Sequence, residues 1–381
     1  MLGSNMTPIV GNSTLQTAVT WPEWRSAFGN ERKDARFYEI IDRTLDNPFE
    51  FRYLLLENAD GGRAVQPYFV LDQDVTEGAG AIIHSIVNAI RKVVPRFLTM
   101  RTLMVGCAAG EGHLAADWVG TALARELPQV ARQWRASLIV MKEFPSRERH
   151  LLADFASAEF TRVPSMPMTR LDIDFADFDD YVAKKLSKVS RKNVRRKLRA
   201  AEAVQPPLTL EVLTDVTPIV DELYPLYLAV YNRSKLHFEK LSKELLIELG
   251  RKMPDKVRFF VWRLSGKAVA FSICMIHGNA IYDEYLGLDY EVAFERHLYF
   301  TTLRDIINWA IAHGLQRYVS SALNYEPKLH LRCELAPLDL YVRHTSRVIN
   351  AFMKRLLPLL EPTRNDPILK RFPNFAEVWD R

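Results

Sequence analysis

The sequence predicts an α+β protein of two modules, each a mixed, mostly antiparallel sheet flanked by helices. Three observations carry that expectation. In the second half, V-R-F-F-V-W-R-L-S-G-K-A-V-A-F-S-I-C-M-I-H-G-N-A-I-Y-D-E-Y-L-G-L-D, Val257 to Asp289, reads as three short strands with tight-turn pairs at Ser265-Gly266 and Gly278-Asn279. A helix follows, with Leu298, Leu303, Ile306, Ile307, Ala310 and Ile311 on one face and a stop at Gly314, and then a strand over 316–323. The first half repeats the order of strands, helix and return strand, and 381 residues are too many for one ordinary core.

In chain order, residues 1–20 form a polar start, read as poorly ordered and lacking the basic segment and apolar run of a signal peptide. The first module is expected over 21–178. Its strands are Phe49 to Glu57 and Arg63 to Gln73, joined across Asp60-Gly61-Gly62. Next comes a helix from Ala81 to Arg96 with Ile82, Ile83, Ile86, Ile90, Val93 and Val94 along one side. A strand from Thr102 to Ala109, a long helix from Leu114 to Trp134 and a strand from Ala136 to Phe144 complete it. A basic linker helix occupies 179–205 and is closed by Pro206-Pro207; the second module takes 206–345, and a helix and tail take 346–381. The two modules form an internal structural duplication at low sequence similarity.

Charge is segregated. The nine Lys and Arg between Lys184 and Arg199, with no acid among them, leave a net charge of −4 on the remainder of a chain whose total is +5. Lys184, Lys188, Arg191, Arg195 and Arg199 recur at helical spacing, with Val182, Leu186 and Val189 opposite. Such a helix is either a solvated linker or a surface for phosphates, RNA, an acidic carrier protein or lipid headgroups. The apolar run from Ala268 to Ile276 is far short of a membrane span. Cys107, Cys274 and Cys333 lie far apart, form no C-x-x-C pair and give no metal signature, which fits a reducing cytoplasm.

The stretch from the basic helix through Y-P-L-Y-L-A-V-Y-N-R-S-K-L-H-F-E-K-L, the three strands and S-S-A-L-N-Y-E-P-K-L-H-L-R resembles the FemAB-like branch of the GNAT acyltransferases. Members of that branch carry two GNAT-type modules, and the first module here matches by pattern. The resemblance implies acyl transfer to an amine, from a thioester in most GNAT proteins or from aminoacyl-tRNA in the peptidoglycan-bridge enzymes. The donor is then acyl-CoA or acyl carrier protein as cosubstrate, with no tightly bound cofactor and no metal. The family's acyl-CoA loop bears glycine, whereas D-Y-E-V-A-F-E-R-H-L, Asp289 to Leu298, has none. In the first module V-G-C-A-A-G-E-G-H-L does, which makes Gly110, Gly112 and His113, with Gly106, a candidate phosphate or pantetheine site.

Acyl transfer needs a proton acceptor for the amine, donors for the oxyanion and an acid for the leaving thiolate. Strict alternation on the third strand puts Ile281, Asp283 and Tyr285 on one face and Tyr282, Glu284 and Leu286 on the other. Two acids within an apolar central strand either pair with Arg or do chemistry, so Asp283 and Glu284 are candidate catalytic groups and Tyr285 the candidate donor to the thiolate. His237 is a candidate base; it, Arg233 and Glu239 lie beyond a helix that begins near Pro218, with Tyr231 nearby, and Arg233 and His237, four apart, would share a face if that helix continues. Asn324, Tyr325, Lys328 and His330, just past a strand end, are candidate substrate-binding residues.

Two helices, Ala81 to Phe97 and Ser346 to Leu357, pair an apolar stripe with Arg and Lys. If they meet lipid, the enzyme sits peripherally on the inner membrane and N-acylates a long-chain amine, as a bacterial ceramide synthase does. The alternatives are an aminoacyl-tRNA-dependent Fem-type transferase, whose tRNA would follow the basic helix, and a non-catalytic ligand-binding protein of the same fold.

Overall fold

A computed structural model describes residues 8–45, 48–74, 81–92, 99–234 and 237–380, with the backbone alone at 81–84, 86 and 360. In chain order the strands are β1 (Ile9–Ser13), β2 (Glu50–Glu57), β3 (Arg63–Asp74), β4 (Thr99–Val105), β5 (Leu138–Pro145), β6 (Thr161–Pro164) and β7 (Met168–Asp172). They continue with β8 (Leu208–Leu213), β9 (Val257–Leu264), β10 (Lys267–His277), β11 (Ala280–Leu288), β12 (Arg317–Ser320), β13 (Glu334–Ala336) and β14 (Leu338–His344). Two 7-stranded sheets result, ordered β1-β2-β3-β4-β5-β14-β6 and β13-β7-β12-β11-β10-β9-β8. Each is antiparallel except for one parallel pair, β4–β5 in the first and β11–β12 in the second.

Read from its own first strand, each sheet has the same order, with one strand exchanged. β14 enters the first sheet between β5 and β6, and β7 enters the second between β12 and β13. The compact units therefore interleave, where consecutive segments were expected. One comprises residues 1–165, 235–239 and 338–364; the other comprises 166–234, 240–337 and 365–381. Nothing local in a short alternating strand says which of two similar sheets it will join, because that choice rests on long-range pairing.

The first unit packs helix Val119–Gln133 on its sheet through Val119, Leu123, Leu127 and Val130. The second packs helix Leu298–Ala312 on its sheet through Leu303, Ile306, Ile307 and Ala310, over Phe260, Trp262 and Tyr318. The buried Trp262 indole N–H is satisfied by Asp305 at 2.8 Å. The β9–β10 turn follows from its residues: Ser265 and Gly266 take φ 51° and 85°, the left-handed pair that matches strand twist.

The sequence expectation needs three corrections here. The start is ordered from Pro8 on, since Ile9–Ser13 pairs with β2 and Leu15 and Ala18 are buried; residues 1–7 lie outside the described residues. The basic segment is two helices, Phe178–Lys185 and Lys188–Ala203, because Ser187 accepts from the Ser190 N–H and starts a new helix. That break resets the phase: Val182 and Leu186 are buried as expected, but Val189 is 79% exposed and the second helix packs through Val194, Leu198 and Ala201. Finally, the helix beginning at Ala81 is described only to Arg91, so the Val93, Val94 and Phe97 end of its stripe lies outside the described residues.

Candidate active site

β11 and β12 run side by side from Ala280↔Arg317 to Asp283↔Ser320, and there the ladder stops. β12 ends at Ser320 while β11 runs on to Leu288, so the parallel strands part just beyond Asp283. A bulge lies at the same level. On β10, Ile273 faces Tyr285 and Cys274 faces Asp283, which leaves Glu284 as an extra residue. Strict alternation therefore fails. Ile281, Leu286 and Leu288 join one apolar cluster despite the odd spacing, and Glu284 is buried beside the half-buried Asp283.

Asp283 is held by two hydroxyls. Ser272 on β10 donates to its Oδ1 and Tyr318 on β12 donates to its Oδ2 at 2.7 Å. Ser272 and Tyr318 have no exposed surface, whereas Asp283 retains some. Burial pushes the Asp283 carboxyl above the usual carboxylate range; both hydroxyls and the Lys328 ammonium oppose that rise. Lys328 is itself buried, donating to the Ser321 and Leu323 carbonyls. Burial pulls its amine down to about 8, against the attraction of Asp283. The Tyr318 and Tyr299 hydroxyls are both pushed up by burial and by Asp283. A desolvated carboxylate, a desolvated amine and hydroxyl donors thus gather where two strands separate, the pattern expected of a proton-transfer site.

The loop that follows β12 is strained. Leu323 and Asn324 take φ 71° and 47°, and neither is glycine. This turn ends the strand expected over 316–323 early and directs the chain into helix Tyr325–His330, which carries Lys328 inward. Asn324 bonds the Tyr299 side chain. Tyr325 is a packing residue, its hydroxyl on the Pro167 carbonyl at 2.8 Å and its ring against Phe372. His330 pairs with Glu326 at 3.3 Å. Tyr285 is half-buried, and its carbonyl lies 3.1 Å from the Ser272 hydroxyl oxygen.

The helix that would put Arg233 and His237 on one face does not continue that far. Helix Val220–Tyr231 ends before either residue, Arg233 lies 3.7 Å over the Tyr290 ring, and Tyr231 packs on Tyr227. His237, Phe238 and Glu239 belong to the first unit, where Phe238 packs on Phe49 and Phe69.

The first unit gathers a different cluster at the end of β4, where Val105 occupies the register position that Asp283 holds in the second sheet. Arg32 pairs with Glu111, while Lys33 reaches the Ala109 carbonyl at 2.7 Å and Glu111 at 3.4 Å. His113 Nδ1 lies 2.6 Å from Glu148, and its Nε2 lies 3.6 Å from Glu31 and 3.8 Å from Glu111. Packing explains the glycines of this loop: a Cβ on Gly112 would stand 2.8 Å from both Gly106 Cα and the Lys142 carbonyl. Gly110 takes φ 103°, and the Gly112 N–H donates to the Glu143 backbone carbonyl at 3.1 Å. Around the loop the carboxylates are matched by cations: Glu111 by Arg32 and Lys33, Glu143 by Lys142 and Glu148 by His113.

Burial alone would lower the His113 pKa, but the Glu111 and Glu148 carboxylates outweigh it and raise the imidazole to about 9. The stabilisation from the charged ring is complete below its unfolded pKa and is lost as pH rises through 9. The loss is about 3 kcal/mol in all. The stability gap between wild type and His113→Gln, read by urea denaturation, should be largest near pH 6 and close above pH 9.

Among the described residues, no helix is long and apolar enough to cross a membrane, and no group of His, Cys, Asp or Glu is placed to hold a metal ion. The hydroxyls of Ser272, Tyr299 and Tyr318 escaped the sequence reading. A serine inside the apolar run of β10 was the available signal.

Residues 188–326 match the family model described as an acetyltransferase (GNAT) domain. No curated protein matches the sequence. Among solved structures, the chain is similar to FemX, at 10% identity and TM-score 0.50, covering 84% of this chain and 94% of that one. It is also similar to the C-terminal domain of an Agrobacterium fabrum protein described as a candidate lysylphosphatidylglycerol synthetase, at 14% identity and TM-score 0.50, with 84% and 94% covered. A Bacteroides thetaiotaomicron protein of unknown function aligns at 14% identity and TM-score 0.50 over 88% of this chain and 99% of its own. Residues 188–326 thus match an acetyltransferase (GNAT) domain, and the two-sheet fold that contains them is similar to that of FemX.

Proposed function

We propose that the second unit moves an acyl group from a thioester, acyl-CoA or acyl carrier protein, to an amine, and that Asp283 is its proton acceptor. The observation that carries this reading is the half-buried Asp283 carboxyl at the parting of β11 and β12, supported from behind by Ser272 and Tyr318. The amine nitrogen attacks the thioester carbonyl and gives its proton to Asp283. The C–S bond then breaks, and Tyr285 protonates the departing thiolate. Glu284, turned to the same level by the bulge, attracts the acceptor in its ammonium form, and Lys328 favours the ionised state of Asp283. Arg196 and Lys197 lie close enough to His297, at the start of helix Leu298–Ala312, to lower its pKa after burial does. They offer cationic partners for donor phosphates where the Asp289–Leu298 loop has no glycine.

A long-chain or lipid amine is the acceptor we favour. One fold neighbour is named as a lysylphosphatidylglycerol synthetase, which supports a lipid acceptor, while the amine rests on the GNAT domain match. The competing donor, aminoacyl-tRNA, is favoured by the cations that helix Lys188–Ala203 presents, Lys188, Lys192 and Arg196 among them. The test is to incubate purified protein with acyl-CoA and acyl carrier protein of graded chain length and a panel of amines, and to read products by mass spectrometry. Amide formation that increases with chain length and withstands RNase supports the proposal. Transfer that requires charged tRNA and is abolished by RNase replaces it with the Fem-type reading.

A further inference from the structure

Helix Arg347–Leu360 follows β14 in the first unit and is exposed on its apolar side. Val348 is 81% exposed, Phe352 65%, Leu359 62% and Ile349 43%. Val348, Phe352 and Leu359, at i, i+4 and i+11, fall on one face, with Ile349 on its flank. Helices Ala35–Thr44 and Val119–Gln133 of the same unit are amphipathic too, but they bury their stripes: Phe37, Tyr38, Ile40 and Ile41 in one, Val119, Leu123, Leu127 and Val130 in the other. Among the described side chains of Arg347–Leu360, only Asn350 is fully buried. It fastens the helix by polar bonds, accepting from the His344 N–H at 2.9 Å and donating to the Glu159 carbonyl at 2.9 Å. The helix is thus held by its back with its apolar ridge outward. Singly exposed apolar residues such as Phe294 are ordinary; a ridge of them on one helix marks a contact surface.

We infer that this ridge docks on an anionic lipid surface. Charge selects that occupant: the segment carries Arg347, Lys354 and Arg355 and no acid, with Arg355, at i+7, on the ridge itself between Phe352 and Leu359, and Arg347 and Lys354 to one side of it. An interfacial helix has this arrangement, with aromatic and aliphatic groups entering the acyl boundary and Lys and Arg at the headgroups. The inference is independent of the acyl-transfer chemistry, because binding is read without turnover. It also bears on that chemistry, since a lipid surface is where a long-chain amine would be met.

The test is flotation of the full chain with phosphatidylcholine vesicles, with and without phosphatidylglycerol. The wild type should float with the anionic vesicles only. Phe352→Asp should weaken partition about ten-fold or more, and each of Lys354→Glu and Arg355→Glu about five-fold, with unchanged denaturation midpoints. Because the charge-reversal variants touch exposed positions alone, they keep the test valid if Phe352→Asp misfolds. Absence of flotation by the wild type overturns the inference, as does flotation that all three variants retain. A Phe352-dependent dimer in sedimentation, without vesicle binding, assigns the ridge to a second copy and overturns it equally.

Discussion

Asp283→Asn should lower kcat by about 10²–10³ while leaving the protein folded. An amide fills the same space and can still bond the hydroxyls of Ser272 and Tyr318, so the cluster keeps its packing and loses its proton acceptor. The substitution has a second signature. Asp283 raises the pKa of Lys328 against burial, so without the carboxylate Lys328 falls below about 8 and is neutral over more of the pH range. Wild-type kcat/KM should fall on acidification at a pH above the usual carboxylate range, in the direction burial moves Asp283, and the Asp283→Asn variant should lack that limb. Glu284→Gln, which affects acceptor binding in this scheme, should raise KM more than it lowers kcat. Steady-state rates with circular dichroism of each variant check all of this. Wild-type turnover in both variants would mean that the chemistry lies elsewhere.

Glu111→Ala should destabilise the first unit by about 3–5 kcal/mol, the cost of breaking a buried charge network from one side. Glu111 lies between Arg32 and Lys33, which are almost fully buried, and close to His113. Burial would raise its carboxyl, but these cations overcome that and hold it well below the usual range. Removing it leaves the cations in a desolvated site without the carboxylate they share. Denaturant titration should show an earlier transition. Glu111→Gln should fall between the two, since it keeps shape and hydrogen bonding but not charge. A shift below about 1 kcal/mol in Glu111→Ala would show that water already reaches the cluster.

The alternation and turn pairs of Val257–Asp289 correspond to β9, β10 and β11, and the apolar spacing after Leu298 corresponds to helix Leu298–Ala312. Asp283 could be singled out because an acid in an apolar strand conflicts with burial, and Lys328 because a polar residue just past a strand end is placed to meet substrate. Their partners could not. Ser272 passes as filler in β10 and Tyr318 looks like a core tyrosine until two strands bring their hydroxyls to one carboxylate, and Tyr299 likewise until its side chain meets Asn324 within reach of that charge. The bulge at Glu284 depends on a register shift between neighbouring strands, so the alternation of β11 alone assigned the wrong faces.

Residue order was enough for the local elements, their doubling and the apolar sides of most helices, because period and turn chemistry act over a few residues. The folded chain was needed for the exchange of β7 and β14 between sheets, the placement of His237 in the first unit, and the outward face of helix Arg347–Leu360. Pairing partners and solvent exposure are properties of contacts between segments distant along the chain, which no local pattern of residues encodes.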